Sequence, residues 1–351
     1  MPASSVQPSG GPLLAVTVVA AAAAAAAYAL RVLRRVERAR ARQRAVEFSA
    51  SLREFLEHRL DRQALAAAAD DAHPGAFWAA LEELTSRGDG WLGLSRALAG
   101  CVHLEAERRA LRDESPWRRE LAARRLGVIF SPRSREALRE ALRVGPELVT
   151  AAAAAALARY RDLDTLRWLL AHPSAVARRP HRARVALLSA FGRGALPELA
   201  EALARGTGDA AMDRALIETL GLARYRDARQ HVERRLRAGD AEQRIAAARA
   251  LGRMEAEDCA TGLMGALRDD VWQVRAQAAW ALGRTRAELA LLVLPARLTD
   301  PAWWVRRHAA YSLREFGVEG RRELEHIANG SPDPYARDMA REALEGWPLA
   351  A

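Results

Sequence analysis

Histidine, cysteine and carboxylate side chains are the groups with which this chain would perform catalysis or bind a metal, and their spacing matches no known centre. The sequence has no H-E-x-x-H zinc motif, no C-x-x-C pair and no Walker A phosphate loop. The two cysteines, Cys101 and Cys259, stand far apart in Ala-rich helical context, so we expect two buried free thiols. The eight histidines are scattered over the chain: His58, His73, His103, His172, His181, His231, His308 and His326. The sequence therefore predicts no catalytic centre, no cofactor and no metal.

An arginine with a fixed apolar pattern behind it returns at regular intervals. In the clearest copy, Val274-Arg275 is followed by Ala278-Ala279 and Leu282-Gly283. The arginine column is Arg119, Thr150, Arg184, Asp213, Arg244, Arg275, Arg306 and Arg337, and its steps are 31, 34, 29, 31, 31, 31 and 31 residues. A period of this length with two helical segments per copy is typical of a stacked helical solenoid.

Each repeat is predicted to be a pair of antiparallel helices. Paired alanines in the first helix let two helix backbones approach closely, and the leucine fills the seam between them. We expect Pro295 to shorten or kink the second helix of its repeat. A glycine follows the motif in five copies, where we expect a positive φ at the end of the first helix. These glycines are Gly127, Gly192, Gly221, Gly252 and Gly283.

Aspartates stand six residues before the arginine column in three repeats, at Asp113, Asp269 and Asp300. An aspartate at that position can cap the helix that follows, and Pro301 suits a first helical turn. Each repeat is thus predicted to begin with a capped first helix.

The segments 269–283 and 300–313 resemble the HEAT-like repeat that was first named from phycobilisome lyases. The resemblance covers roughly residues 113–347. It implies that the aspartate and arginine columns form a ladder between adjacent repeats. The ladder is implied most directly for Asp269, Arg275, Asp300 and Arg306, and the same structural role is assigned to Asp113, Arg119, Arg244 and Arg337. These residues are therefore not interpreted as acid–base catalysts.

The sequence lacks the catalytic motifs of enzymes that share this repeat type. No histidine is followed by glutamate, so the His-Glu pairs of the HEAT-repeat di-iron hydroxylases are missing. Repeats alone do not carry the chemistry of the bilin lyases. A lyase-like enzyme is therefore the third interpretation, behind two kinds of binding protein.

The net charge of +10 is concentrated in one segment. All 54 basic residues are arginine, and the segment 31–44 (RVLRRVERARARQR) holds seven of them with one glutamate. Only +4 remains for the rest of the chain, where acidic residues are interleaved. Because phosphate binding needs a concentrated basic stripe, we expect no nucleic-acid partner.

A stretch without charge, 13–30 (LLAVTVVAAAAAAAAYAL), precedes the basic segment. As a helix it extends about 27 Å, close to the thickness of a hydrocarbon core. The arginines behind it predict an outward N-terminus and cytoplasmic repeats. The chain has no lysine and a single asparagine, Asn329, which indicates a bacterium with a GC-rich genome and so predicts the inner membrane. The alternative is a cleaved signal peptide, which would carry its basic residues ahead of the apolar stretch.

The uncharged stretch and the basic segment behind it define the predicted division of the chain. We predict an extracytoplasmic tail over 1–12, a transmembrane helix over 13–30, a juxtamembrane segment over 31–71, a capping helix pair over 72–112, and repeats over 113–351. The juxtamembrane segment is expected to form one long helix to about residue 69. Its apolar stripe, Phe48, Leu52, Phe55, Leu56 and Leu60, needs a cover, which is the first repeat, a second copy or the membrane surface. The capping helices are expected at 76–87 and 93–112.

One column is a candidate for partner contacts. Two residues before the arginine column stand Trp117, Trp304 and Tyr335, in a position that is charged or polar in three other repeats, at Arg182, Glu242 and Gln273. Exposed aromatic residues beside an arginine are typical interface anchors. The alternative is aromatic packing against the loop of the next repeat. Trp303 aligns with Trp272, and we expect these two rings to stack between repeats.

We therefore predict an all-α protein: a right-handed α-solenoid of HEAT-like helix pairs preceded by one transmembrane helix. Its predicted function is that of a membrane-anchored cytoplasmic scaffold without enzymatic activity. Its partner is expected to be a protein, in the class of membrane enzymes or transport complexes. The second interpretation is a soluble or secreted repeat protein whose signal peptide is cleaved. The sequence predicts no oligomeric state.

Overall fold

A computed structural model describes Tyr28 and residues 31–32, 35–36, 43–44, 46–85, 91–255 and 257–345. Over these residues the secondary structure consists of α-helices and short 3-10 segments, without a β-strand. The prediction of an all-α fold is confirmed. The chain divides into two compact units, Met1–Ala137 and Leu138–Ala351.

The first unit contains a helical stretch over 46–56 and five helices that lie wholly within it. They are α1 (Arg62–Asp71), α2 (Pro74–Thr85), α3 (Trp91–Leu98), α4 (Val102–Ala110) and α5 (Pro116–Leu126). The next helix, α6 (Pro132–Val144), runs past the end of this unit.

The prediction of one uninterrupted helix up to residue 69 is wrong. The helical stretch over 46–56 ends in a turn in which His58 adopts a left-handed φ of 61°. Helix α1 then starts afresh, because the Asp61 carboxylate accepts a hydrogen bond from the Ala64 N–H at 2.8 Å. The predicted helix over 93–112 is likewise two helices, α3 and α4. The Asp70 carboxylate, at the end of α1, accepts from the Val102 N–H at 2.9 Å and so fixes the start of α4.

The apolar stripe of the 46–56 stretch is covered by helix α2. Phe48 and Leu52 are each 1% exposed, and the Phe48 ring stacks on Phe77 with 5.3 Å between the centroids. Of the covers considered for the stripe, the structure shows packing within the same chain.

The second unit is a row of helix pairs. Its pairs are α7 (Glu147–Arg159) with α8 (Leu163–Ala171), α9 (His181–Ala190) with α10 (Leu196–Arg205), α11 (Ala210–Leu222) with α12 (Arg229–Ala238), and α13 (Ala241–Met254) with α14 (Ala260–Ala266). Helix α15 (Trp272–Thr285) is followed by two 3-10 segments, Glu288–Leu292 and Pro295–Thr299. The row ends with α16 (Trp303–Leu313), α17 (Gly317–Gly330) and α18 (Pro334–Glu345). From α9 onward the first helices pack side by side, and second helices such as α12, α14 and α17 pack against the first helix that follows.

The arginine column locates the first helices. Each of its eight positions is the fourth residue of a helix, from Arg119 in α5 to Arg337 in α18. Pro295 acts as expected, because two short 3-10 segments replace the second helix of its repeat. The repeat register read from the sequence is thus confirmed.

Most glycines of the motif do not have the positive φ that was predicted for them. Gly192 has a φ of 78°, but Gly221, Gly252 and Gly283 lie inside their helices, and the Gly127 φ is −69°. A Cβ on Gly221 would lie 2.6 Å from the Ala250 Cβ, and a Cβ on Gly283 would lie 2.6 Å from the Ser312 Cβ. The prediction of positive φ is confirmed at Gly192 and wrong at the other four positions. At Gly221, Gly252 and Gly283 the glycine is needed for contact between neighbouring first helices.

The left-handed residue falls three positions later in the motif. Arg224, Glu255, Arg286 and Gly317 have φ values of 51°, 51°, 52° and 61° at intervals of 31 residues. These four residues end the first helix of each repeat and turn the chain toward the second.

No helix in the described part of the chain combines the length and the apolarity that a membrane span requires. The predicted transmembrane helix over 13–30 lies outside the described residues, apart from Tyr28.

Candidate protein-binding site

Two arginines of the column form ion pairs with an aspartate of the next repeat in the second unit. Arg244 Nε lies 2.7 Å and Nη2 2.9 Å from the two carboxylate oxygens of Asp269, and Arg275 holds Asp300 in the same way at 2.8 and 2.9 Å. Both are parallel two-bond contacts, the geometry that fits a guanidinium to a carboxylate best. The ladder that the resemblance implied is present at these two junctions.

The aspartates also organise the turns ahead of the first helices. The Oδ1 atoms of Asp269 and Asp300 accept hydrogen bonds from the N–H groups of Val271 and Ala302, two residues later, at 2.9 Å. Asp113 does the same for Ser115. The residues at the N-cap are Val271, Ala302 and Ser115, so the expectation that these aspartates cap the helix is wrong. They form the preceding turn because each carboxylate stands two positions before the N-cap.

The ion pairs shift the acidity of both aspartates. Burial on its own raises the pKa of Asp300, but hydrogen bonds from Arg275 and the Ala302 N–H outweigh it, and the pKa lies below the ordinary value. The pKa of Asp269 is lowered by the same balance of burial against hydrogen bonds from Arg244 and the Val271 N–H. Both carboxylates are therefore ionised at neutral pH.

The other arginines of the column bind backbone carbonyl groups. Arg306 Nη1 donates to the Asp300 O at 2.8 Å, and Arg337 Nη1 donates to the Ser331 O at 2.7 Å. The Nε atoms of Arg119 and Arg306 are buried without a hydrogen-bond partner in the described part of the structure. The ladder therefore has two complete ion pairs and ends at Arg306.

The three predicted aromatic contacts are all on the surface. Trp117 in the first unit is 64% exposed, and in the second unit Trp304 is 47% and Tyr335 66% exposed. The Trp304 ring contacts Trp303, with 4.7 Å between centroids, and lies 6.1 Å from His308 in the same helix. The Tyr335 ring lies 5.3 Å from the guanidinium of Arg306, which belongs to the preceding repeat.

Two separate open depressions lie along α15 and α16, with volumes of about 520 Å³ and about 480 Å³, and Trp304 lines the smaller one. The smaller one, called here the tryptophan cleft, lies at the start of α15 and α16. It is lined by Asp270, Trp272, Arg275, Pro301, Ala302, Trp303 and Trp304. Trp272 and Trp303 are 39% and 43% exposed, so they border this cleft and are not buried between the repeats as expected.

The larger depression lies toward the other end of α15 and α16 and was missed by the sequence analysis. Trp280, His308 and Tyr311 line it together with Arg284, Arg286, Ser312, Arg314, Glu315 and Gly317. Trp280 and Tyr311 stand 31 residues apart, so they share one column of the repeat. Reading that column as well as the one that contains Trp304 would have indicated the aromatic residues of both depressions.

The titratable groups of the described residues include no cluster of three or more histidine, cysteine or acidic side chains placed to hold a metal ion. Both cysteines are free and buried. Burial, with the nearby Glu233, raises the pKa of the Cys259 thiol to about 12, and burial also raises that of Cys101. Thiols held in the neutral form are poor nucleophiles.

The helix pairs of the second unit define an α-solenoid, a class of repeat proteins that present extended surfaces. The family model for HEAT repeats matches residues 196–282 and again residues 260–345. HEAT repeats therefore make up this part of the chain.

Comparison with solved structures gives matches at low identity, each with a TM-score below 0.5. Human deoxyhypusine hydroxylase is 18% identical with a TM-score of 0.33, covering 79% of this chain and 96% of its own. A Kap121p mutant is 15% identical with a TM-score of 0.49, covering 81% of this chain and 38% of its own. The Escherichia coli protein YibA is 16% identical with a TM-score of 0.37, covering 82% of this chain and 94% of its own. Among curated proteins, no sequence matches that of this chain.

Proposed function

We propose that this protein is a membrane-anchored scaffold whose HEAT repeats bind a protein partner. The observation that supports this most directly is the tryptophan cleft. Three indole rings, those of Trp272, Trp303 and Trp304, stand partly exposed around one open depression of about 480 Å³. Tryptophan is the residue most often found at the energetic centre of protein interfaces. A partner that covers this contiguous apolar surface removes it from water, which lowers the free energy of the complex.

The cleft is built on a rigid base. Arg275 in its floor is fixed by two hydrogen bonds to Asp300 and by one to the Asp269 carbonyl at 2.8 Å. Ala278 and Ala279 below it are fully buried against the neighbouring helices. A partner that enters the cleft therefore meets a surface that needs little ordering, which lowers the entropic cost of binding.

The anchor is proposed from the sequence. Residues 13–30 carry no charge, and the seven arginines of residues 31–44 follow them. By the positive-inside rule, this arrangement predicts that the repeats lie on the cytoplasmic side of the inner membrane. A tethered array meets integral membrane proteins at a high local concentration, so a membrane enzyme or transport complex is the partner class that we propose.

The partner is tested by affinity purification of the full chain from membranes dissolved in a mild detergent. The double variant Trp303→Ala, Trp304→Ala should lose the partner, whereas Val318→Ala, another apolar side chain of the second unit and 61% exposed, should retain it. The melting temperature of each variant is measured in parallel. A double variant that melts far below the native chain yet keeps its partner would assign the tryptophans to stability and contradict the proposal.

The anchor is tested by comparing the full chain with a chain that begins at Gln43. This start retains Phe48 and Leu52, which pack within the first unit. The full chain should stay in the membrane pellet through an alkaline wash, and the shortened chain should be soluble. An intact mass that shows cleavage near the end of the Ala run would support the signal-peptide alternative instead.

A further inference from the structure

The arginine ladder leaves one guanidinium prepared for a carboxylate that the chain does not supply. Arg275 Nη1 donates to the Asp269 carbonyl at 2.8 Å, and Arg306 Nη1 donates to the Asp300 carbonyl, one repeat later, at the same distance. The two guanidinium groups are thus held in equivalent places of consecutive repeats.

The two arginines differ in what stands 25 residues later. For Arg275 this residue is Asp300, whose carboxylate takes hydrogen bonds from Nε and Nη2. For Arg306 it is Ser331. Among the described residues Arg306 Nε has no hydrogen-bond partner and is buried. A buried donor without an acceptor is energetically costly, so an incoming acceptor is favoured there.

The nearest carboxylate of the same turn is already used. The Oδ1 atom of Asp333 accepts hydrogen bonds from the Tyr335 N–H at 2.8 Å and the Ala336 N–H at 3.4 Å, at the start of α18. Relative to Asp300 in its repeat, this aspartate stands two residues closer to the helix. Because of this two-residue difference, the Asp333 carboxylate binds N–H groups at the start of the helix. Arg306 therefore has no aspartate in the position that Asp300 takes beside Arg275.

Tyr335 completes the site. Its ring lies 5.3 Å from the Arg306 guanidinium while 66% of the residue is exposed to solvent. At this distance the ring makes a cation–π contact with the guanidinium. Because the ring is mostly exposed, it can turn aside without disturbing the packed core.

We propose that Arg306 and Tyr335 bind the side-chain carboxylate of an aspartate or glutamate from the protein partner. The carboxylate takes the place that Asp300 occupies beside Arg275, with two parallel hydrogen bonds to Nε and Nη2. The Tyr335 ring moves to the side of the bound group. This inference rests on the proposed function, since it names the chemistry of the partner at the end of the repeat row.

The site is tested without a partner, with acetate as the probe. The chain has five tyrosines, so 3-fluorotyrosine labelling gives few ¹⁹F signals, and Tyr335→Phe identifies the one that belongs to Tyr335. Acetate is titrated against chloride at constant ionic strength. The Tyr335 signal should shift in a saturable manner with acetate alone.

Three variants determine whether that shift reports the proposed site. Ser331→Asp supplies the missing carboxylate from within the chain and should weaken acetate binding at least about tenfold, as should Arg306→Gln. Ser331→Asn, similar in size and without charge, should bind acetate as the native chain does. Equal responses to acetate and chloride, or a native response in both Ser331→Asp and Arg306→Gln, would overturn the inference.

The same variants separate this inference from the proposed function. In the affinity purification, Ser331→Asp should release the partner and Ser331→Asn should retain it. If acetate does not bind but the tryptophan variant still loses its partner, the carboxylate site is wrong and the scaffold proposal stands. If acetate binds and Ser331→Asp keeps the partner at the native level, the partner does not use this site and the inference is again wrong.

Discussion

Gly252 lies directly against Ala281 of the next repeat: a Cβ on Gly252 would stand 2.8 Å from both the Cα and the Cβ of Ala281. Real Cβ atoms do not come this close to a neighbouring backbone, so the two helices can cross at this distance only with glycine present. Gly221 meets Ala250 and Gly283 meets Ser312 in the same way. The distance between first helices is thus set by one glycine in each of these repeats.

Gly252→Ala should destabilise the second unit by about 2 kcal/mol, because the added methyl group forces the packed helices apart. Urea unfolding monitored by circular dichroism measures the change. Gly265→Ala is the matched control, since no neighbouring atom lies within 4 Å of a Cβ at that position. In a helix such as α14, that substitution should be stabilising by about 0.5 kcal/mol. Equal effects of the two substitutions would contradict the packing role of Gly252.

The sequence predicted the repeat register because its main signals are local and periodic. Arg275 and Arg306 mark the fourth residue of their helices, and a proline in a helix interior, as predicted for Pro295, removes a backbone hydrogen bond. The role of Gly252 could not be predicted in this way. A glycine at the end of the motif either adopts a positive φ in a turn or allows a close contact between helices. Only the residue that packs against it in the structure distinguishes these two roles. The right-handed twist of the row and the closer relation to phycobilisome-lyase repeats stay predictions.

Asp300→Asn should destabilise the second unit by about 3 kcal/mol. The Asp300 side chain is 3% and the Arg275 side chain 13% exposed, so the substitution leaves a largely buried guanidinium without its counter-charge. Asparagine keeps an oxygen that can accept from the Ala302 N–H, so the turn is retained and only the ion pair is lost. Thermal and urea unfolding of the purified variant give the change in free energy.

The control for this substitution is Asp338→Asn, whose ion pair with Arg341 is exposed at both ends. Surface pairs of this kind contribute little, so stability should be unchanged. A double-mutant cycle with Arg275→Gln isolates the pair itself. If Asp300→Asn proved as mild as Asp338→Asn, the ladder would have no role in holding the repeats together.

Stability should fall in acid through the ladder aspartates. The pKa values of Asp269 and Asp300 are lowered in the folded chain, so both carboxylates bind protons more readily when the chain is unfolded. Their contribution is fully present above the unfolded value of about 3.9 and is lost as the pH falls from there through the lowered folded pKa. Unfolding free energies measured between pH 6 and pH 3 should decline less in Asp269→Asn, Asp300→Asn than in the native chain. Parallel curves for the two proteins would exclude this linkage.

The candidate site could be predicted only in part. Trp304 and Tyr335 could be predicted because they stand in a column that is polar or charged in three other repeats. The tryptophan cleft was not predicted. Trp272 and Trp303 share a column of the repeat, and this spacing is compatible both with rings that stack between repeats and with rings that are exposed to solvent. The resemblance implied a ladder role for Arg306, while its missing partner depends on Ser331, outside the motif.

The helical stretch over 46–56 should prove to be part of the folded first unit. Phe48 is 1% exposed and stacks on Phe77, so Phe48→Ala removes a buried ring and should destabilise that unit by about 3 kcal/mol. Val46→Ala, in the same stretch but 67% exposed, is the control and should have little effect. Limited proteolysis followed by mass spectrometry assigns the loss to one unit, since cleavage should rise within residues 46–126 and stay unchanged within 196–345. If Phe48→Ala left the first unit resistant to protease, this stretch would have to be covered by another molecule or by the membrane surface.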